Sequence, residues 1–148
     1  MEQQMLKDKV TVITGASYGM GRTMAELFAE EGAAVVITAR HQEKLDEVVD
    51  GIRAKGGKAV GVVADVCSTE DTKKVFETAL KEFGDVDILI NNAGISGPTA
   101  LVVENREGRK EYTPEDFEKV IATNLTGTFM FCQEAARQMI KQNATNGK

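Results

Sequence analysis

Thr14-Gly15-Ala16-Ser17-Tyr18-Gly19-Met20-Gly21 follows a β-branched run, Val10 to Ile13, and opens an amphipathic stretch, so it reads as a glycine turn between a strand and a helix. Glycines at 15, 19 and 21 permit positive φ and leave no Cβ between backbone and ligand, while the free N–H groups of the new helix favour an anion in the turn. The spacing is Gly-x3-Gly-x-Gly, and no Lys follows the last glycine as a Walker phosphate loop requires. The chemistry suggested is a dinucleotide phosphate held by backbone amides; a plain structural turn is the alternative.

Three more clusters stand at the ends of apolar runs. Ile37-Thr38-Ala39-Arg40 ends the second run, where a domain selecting NAD usually places a carboxylate for the ribose hydroxyls. Here Ala39 removes the repulsion a 2′-phosphate would meet, and Arg40 offers it a planar fork of donors, with His41 adjacent. NADP is therefore expected, with NAD as the alternative, unless Arg40 and His41 are solvated charges at a helix entry. After the third run, Asp65 of Ala64-Asp65-Val66 can accept from an exocyclic amine such as that of adenine, or it can close an Asx-turn. Asn91-Asn92-Ala93-Gly94 ends the fourth run, beside the first, where a doubly wound sheet reverses direction and ligands bind. Its small residues would admit a ribose or a flat ring, and its paired amides could lock neighbouring loops; a simple turn is the other reading. Asn124 reads as the one amide on the buried stripe of a long helix, in register with Phe117, Val120, Ile121 and Thr128. In that row it needs a partner or costs about 1–3 kcal/mol, so it either bends the helix, holds water in a proton path, or is a satisfied core Asn.

The elements that must carry these residues alternate between strand and helix periods, the signature of a parallel sheet with helices on its faces. Met20, Met24, Leu27 and Phe28 give a first helical stripe that Gly32 closes, and Ala34 to Thr38 is the second strand. Leu45, Val48, Val49 and Ile52 give a second helix, ended by Gly56-Gly57, before a strand over Lys58 to Val63. Ser68 and Asp71 make a capping-box-like start to a third helix with an inner face of Val75, Phe76, Ala79, Leu80 and Phe83. Val86 to Ile90 is a short fourth strand of the kind buried on both faces. Thr113-Pro114-Glu115-Asp116 supplies an N-cap, a proline at N1 and first-turn acids, so a long helix should run from about 114 to 140. Between these lies the stretch from Ile95 to Tyr112, with mixed charges over 104–110, as either a solvated insertion or a substrate lid.

At 148 residues the chain is one domain, able to bury roughly 70% of its unfolded surface. A net charge of −5 argues against nucleic acid or anionic lipid as partners. With no apolar run of signal or membrane-span length, the expected location is the cytoplasm, where Cys67 and Cys132 would be reduced packing residues. No metal-ligand cluster is expected, and Asn143-Ala144-Thr145 matches a glycosylation acceptor only formally.

Taken in order, Thr14-Gly15-x-x-x-Gly19-x-Gly21, Asp65-Val66, Asn91-Asn92-Ala93-Gly94 and Asn124 resemble the short-chain dehydrogenases/reductases, over nearly the whole chain from about Lys9. The resemblance implies a Rossmann-like doubly wound α/β sheet, a nicotinamide cofactor and hydride transfer between an alcohol and a carbonyl. It assigns Gly15, Ser17, Gly19 and Gly21 to the pyrophosphate and adenosine ribose, Arg40 to the 2′-phosphate, Asp65 and Val66 to adenine, and Asn91, Ala93 and Gly94 to the ribose side. Tyr18 and Met20 of the turn and His41 beside Arg40 complete the cofactor-binding set, and Asn124 would be the Asn of the catalytic tetrad. The family's Ser and Tyr-x-x-x-Lys have no counterpart: the only tyrosines are Tyr18 and Tyr112, followed four residues on by Arg22 and Asp116. Asn146-Gly147-Lys148 resembles the lead into the strand that would bear that Ser, and the stretch over 101–112 is longer than usual in the family. The expectation is a Rossmann domain over 1–148, incomplete at its C-terminal end after about four strands and the long fourth helix, with an unpaired edge on strand four and no activity by itself. The complete protein would be a homodimer or homotetramer; a non-catalytic dinucleotide-binding or interaction module is the alternative.

Overall fold

A computed structural model describes residues 4–97 and 100–146. The ladder begins with β1 (Val10–Thr14), α1 (Gly19–Glu30), β2 (Ala34–Ala39), α2 (Gln42–Ala54), β3 (Lys58–Val63), α3 (Thr69–Phe83) and β4 (Ile88–Ile90). The four strands are parallel in the order β3-β2-β1-β4, so the chain crosses from one side of β1 to the other between β3 and β4. That is the Rossmann-like arrangement, and its switch point lies between β1 and β4.

Strand alternation divides the core into two layers. Ile13, Val35 and Ile37 face α1 and α2, meeting Ala25, Leu45 and Val48. Val12 and Val36 face the opposite way, toward Val75 and Phe76 of α3 and Phe131. On α2 the expected stripe holds, with Leu45, Val48, Val49 and Ile52 all buried. On α1 it is displaced: Gly21, Ala25 and Ala29 are the buried row, Met24 and Phe28 flank it, and Met20 and Leu27 are exposed. The helix lies so close to the sheet that only small residues fit beneath it. Ser68 caps α3 as expected, its Oγ accepting from the Asp71 N–H at 3.1 Å, and Val75, Phe76 and Ala79 are buried while Leu80 and Phe83 are half-buried.

β4 is shorter and more open than expected, half-exposed because it is the edge of this sheet. Its entry is fastened to β1 by Asp87, which accepts from the Val10 N–H at 2.9 Å and pairs with Lys9 at 3.2 Å. The stretch after β4 contains a two-stranded antiparallel hairpin, β5 (Val102–Asn105) and β6 (Gly108–Glu111), rather than an irregular loop. Pro98 and Thr99 within it, and Gly147 and Lys148 at the end, lie outside the described residues.

The Thr113 box forms as expected: Thr113 Oγ1 accepts from the Asp116 N–H at 3.1 Å and Asp116 Oδ2 accepts from the Thr113 N–H at 3.3 Å. The helix it starts is not continuous. It comprises α4 (Pro114–Ile121), a π-helical turn (Ala122–Gly127) and α5 (Thr128–Asn146). The expected buried row is corrected accordingly. Phe117, Ile121 and Asn124 are exposed, and the residues pressed onto the sheet are Gly127, Phe131 and Ala135. Gln142 anchors the far end of α5, its amide both accepting from the Val86 N–H at 3.1 Å and donating to the Val86 carbonyl at 2.8 Å. Both cysteines are exposed rather than packed. Among the described residues no helix is long and apolar enough to cross a membrane.

Phe131 is fully buried with its ring centroid 5.9 Å from that of Phe76, joining α5 to α3. Truncating it to Ala leaves a cavity at that joint, and Phe131→Ala is expected to lower stability by about 3–5 kcal/mol in urea unfolding.

Candidate functional site: a cleft above the glycine turn

Thr14, at the last position of β1, is 1% exposed. Its Oγ1 accepts two backbone N–H groups, from Asn92 at 3.1 Å and Ala93 at 3.0 Å. Asn92 answers with its side chain, Nδ2 donating to the carbonyls of Thr14 and Gly15, both at 3.0 Å. The ends of β1 and β4 are thus bolted together by four hydrogen bonds across the switch point. A third strand joins through the Ala16 N–H, which donates to the Thr38 carbonyl at 3.1 Å.

These bonds explain the three glycines separately. Gly15 has φ +65° and lies so near Ala93 that a Cβ would sit 2.8 Å from its Cα. Gly21 has no such dihedral demand, but a Cβ there would meet Asn92 Nδ2 and the Gly15 carbonyl at 2.5 Å, so it serves packing of the turn against the bolt. Gly19 differs: it has φ +56° and nothing within 4 Å of where a Cβ would stand, which leaves its backbone open to the space above.

That space is a cleft of about 420 Å³, a size suited to a small-molecule site. Its floor is the glycine turn, with Gly15, Ser17 and Gly19. Ala39, Arg40 and His41 come to it from β2, Asp65 and Val66 from β3, and Ala93 and Gly94 from β4. Most of the sequence-derived cofactor positions are therefore gathered at one place. Gly21, Asn91 and Asn124 are not on its walls. Asn91 points its amide to Cys132 Sγ at 3.2 Å on α5, and its neighbour Asn92 holds the place in the cleft. Asp65 forms the Asx-turn, Oδ1 accepting from the Cys67 N–H at 2.9 Å, while remaining at the cleft wall. Tyr18 and Met20 are exposed at the rim, and Lys44 lies 5.9 Å from the Tyr18 ring centroid.

Asn124 finds its partner in the backbone of Ile95, at the cleft's β4 wall. Its Oδ1 accepts from the Ile95 N–H at 2.9 Å and its Nδ2 donates to the Ile95 carbonyl at 2.8 Å, so the amide fixes the segment that carries Ala93 and Gly94. Gly94 lies so near that a Cβ would stand 3.3 Å from Asn124 Oδ1. The π-turn that bears Asn124 adds a wall the sequence reading did not include, made by Lys119, Ala122 and Thr123. Thr123 reaches across to Cys67, Oγ1 to Sγ 3.6 Å, and Gly127 sits where a Cβ would be 3.0 Å from the Val66 carbonyl. The i, i+3, i+4 spacing of the three residues was visible in the sequence; the helix face they occupy was not.

The different duties of Gly19 and Gly21 separate experimentally. Gly21→Ala forces the turn off Asn92 and is expected to lower the melting temperature by several degrees. Gly19→Ala meets no atom and costs only the left-handed backbone, roughly 1 kcal/mol, so thermal unfolding should show a near-native fold.

Residues 9–147 match the family model described as short chain dehydrogenase. The chain is 37% identical over 139 residues to glucose 1-dehydrogenase 2 of Bacillus subtilis, covering 93% of this chain and 51% of that protein. It is 40% identical over 134 residues to an uncharacterized oxidoreductase of Thermotoga maritima, covering 90% and 49%. The crystal structure of a short-chain type dehydrogenase/reductase from Mycobacterium marinum superposes with a TM-score of 0.84 at 36% identity, over 96% of this chain and 54% of that one. A Serratia marcescens short-chain dehydrogenase/reductase mutant gives 0.78 at 30% identity, over 90% and 51%. The chain spans about half the length of these relatives. It belongs to the short-chain dehydrogenase family, and the ordered motifs and the β3-β2-β1-β4 sheet agree with that membership.

Proposed function

We propose that this chain builds the adenosine-diphosphate side of an oxidoreductase site that moves a hydride between NADP(H) and an alcohol or carbonyl substrate. The observation that carries the reading is the open backbone of Gly19 at the floor of a cleft on the sheet's switch point, with Arg40 rather than an acid at the end of β2. The floor residues Gly15, Ser17 and Gly19 would hold the diphosphate; Asp65 and Val66 would meet the adenine; Ala93 and Gly94 would lie along the ribose; Arg40, with His41, would take the 2′-phosphate. The bound nicotinamide supplies or accepts the hydride. The chain's own contribution is to bind and orient it: the Thr14–Asn92 bolt fixes the floor and the Asn124–Ile95 amide pair fixes the ribose side.

Proton transfer to a carbonyl oxygen needs an acid of tuned pKa within hydrogen-bond reach. The family's Tyr-x-x-x-Lys, which supplies it, does not occur in these 148 residues. The polypeptide as it stands should therefore bind nucleotide without turning over. The exposed row Phe117, Ile121, Leu125 and Phe129 supports the homodimer or homotetramer expected of the complete protein.

A charged hydrogen bond contributes about 1.5–3 kcal/mol, so calorimetric titration of the chain should show NADP binding roughly 10- to 150-fold tighter than NAD. Arg40→Gln should bring the two affinities together; equal affinities in the unmodified chain would discard the 2′-phosphate contact.

A further inference from the structure

The π-turn has a geometric effect on what lies before it. Residues 119, 123, 127, 131 and 135 are spaced by four, and on an uninterrupted α-helix each such step drifts by about 40° around the axis. Over the whole row the drift would reach about 160°, which would carry Lys119 to nearly the opposite side of the helix from Ala135. A π-turn absorbs one extra residue and takes back about 100° of that rotation. The row stays on one side, and its contacts show it. Phe131 and Ala135 lie in the core beneath α3, Gly127 touches Val66, Thr123 touches Cys67, and Lys119 comes to the mouth of the cleft.

The charges on the walls are few. Arg40 and Lys119 are the cations, Asp65 is the carboxylate, and one of its oxygens already accepts from Cys67. Among the described residues neither Arg40 nor Lys119 has an ion pair, although Lys119 stands in a helix that also carries Glu115, Asp116 and Glu118. A chain of net charge −5 thus presents two unneutralised cations to one cleft, from different walls.

We propose that Lys119, aimed by the π-turn, is a further cofactor-binding residue of this site: a second cation that meets a phosphate of the bound dinucleotide from the helix wall, as Arg40 does from the β2 wall. This rests on the dinucleotide reading above. Its contribution scales with the charge of the ligand, as a Coulomb interaction must, and weakens with added salt.

The test is calorimetric titration of NADP and NAD into the chain and its Lys119→Gln, Lys119→Glu and Lys119→Arg variants, at low and high salt, with Arg40→Gln alongside. NADP affinity should fall about threefold to tenfold in Lys119→Gln and further in Lys119→Glu, and Lys119→Arg should restore it. Melting temperatures should hold, because the side chain is exposed and unpaired, and the losses should shrink at high salt. A fall confined to NADP assigns the contact to the 2′-phosphate, and an equal fall for NAD assigns it to the diphosphate. Affinities within twofold for Lys119→Gln and Lys119→Glu, with Arg40→Gln still losing NADP, would overturn the role of Lys119 and leave the dinucleotide reading standing. Failure of the unmodified chain to bind either nucleotide would instead remove that reading itself.

Discussion

The hydroxyl of Thr14 is the point on which the site depends. In a parallel sheet, strands that are neighbours in space are distant in sequence, and the loops leaving their C-terminal ends have no ladder to hold them. Thr14 Oγ1 gathers two amides of the β4 exit, and the Asn92 amide returns two bonds to the β1 exit. Each of these groups is half-buried or better, so leaving one unpaired would carry a desolvation cost of about 1–3 kcal/mol. The bolt holds the turn in the left-handed dihedrals that Gly15 and Gly19 adopt without steric cost.

From that fixed floor the other walls follow by short steps. The Ala16 N–H ties the turn to the end of β2, whose next residues are Ala39 and Arg40. The β3 exit is shaped by two carboxylates, Asp65 closing its Asx-turn and Asp71 of α3 accepting from the Asp65 N–H at 2.8 Å, and Val66 beside them lies against Gly127. The helix from Pro114 onward then closes the side left open by the sheet, and its interruption at Ala122–Gly127 lets a single helical rod serve both the core and the cleft.

Much of this was legible in the sequence because it is written in local chemistry. The β-branched runs, the Gly56 stop, and the Ser68 and Thr113 caps depend on neighbours within one turn of chain, and they stand as read. What was misread depends on distance between elements. Small residues under α1 and the choice of Asn92 over Asn91 at the cleft come from how closely helix and strand ends approach, which periodicity does not encode. The expected row through Phe117, Ile121 and Asn124 assumed an unbroken 3.6-residue period, and one extra residue in the π-turn moves every residue before it. The hairpin over Val102–Glu111 was hidden by a charged stretch that gives little alternation.

Two carboxamides of the long helix, Asn124 and Gln142, have a bearing on association between chains. Asn124 and Gln142 each present an N–H and a carbonyl in the way a neighbouring peptide group would, and each pairs with a backbone unit on one side of β4, at Ile95 and at Val86. The ladder that β4 offers a foreign strand is confined to Ile88–Ile90, well short of the six or seven residues that cross-β stacking needs, so the β4 flank of the sheet is a poor template for fibrils.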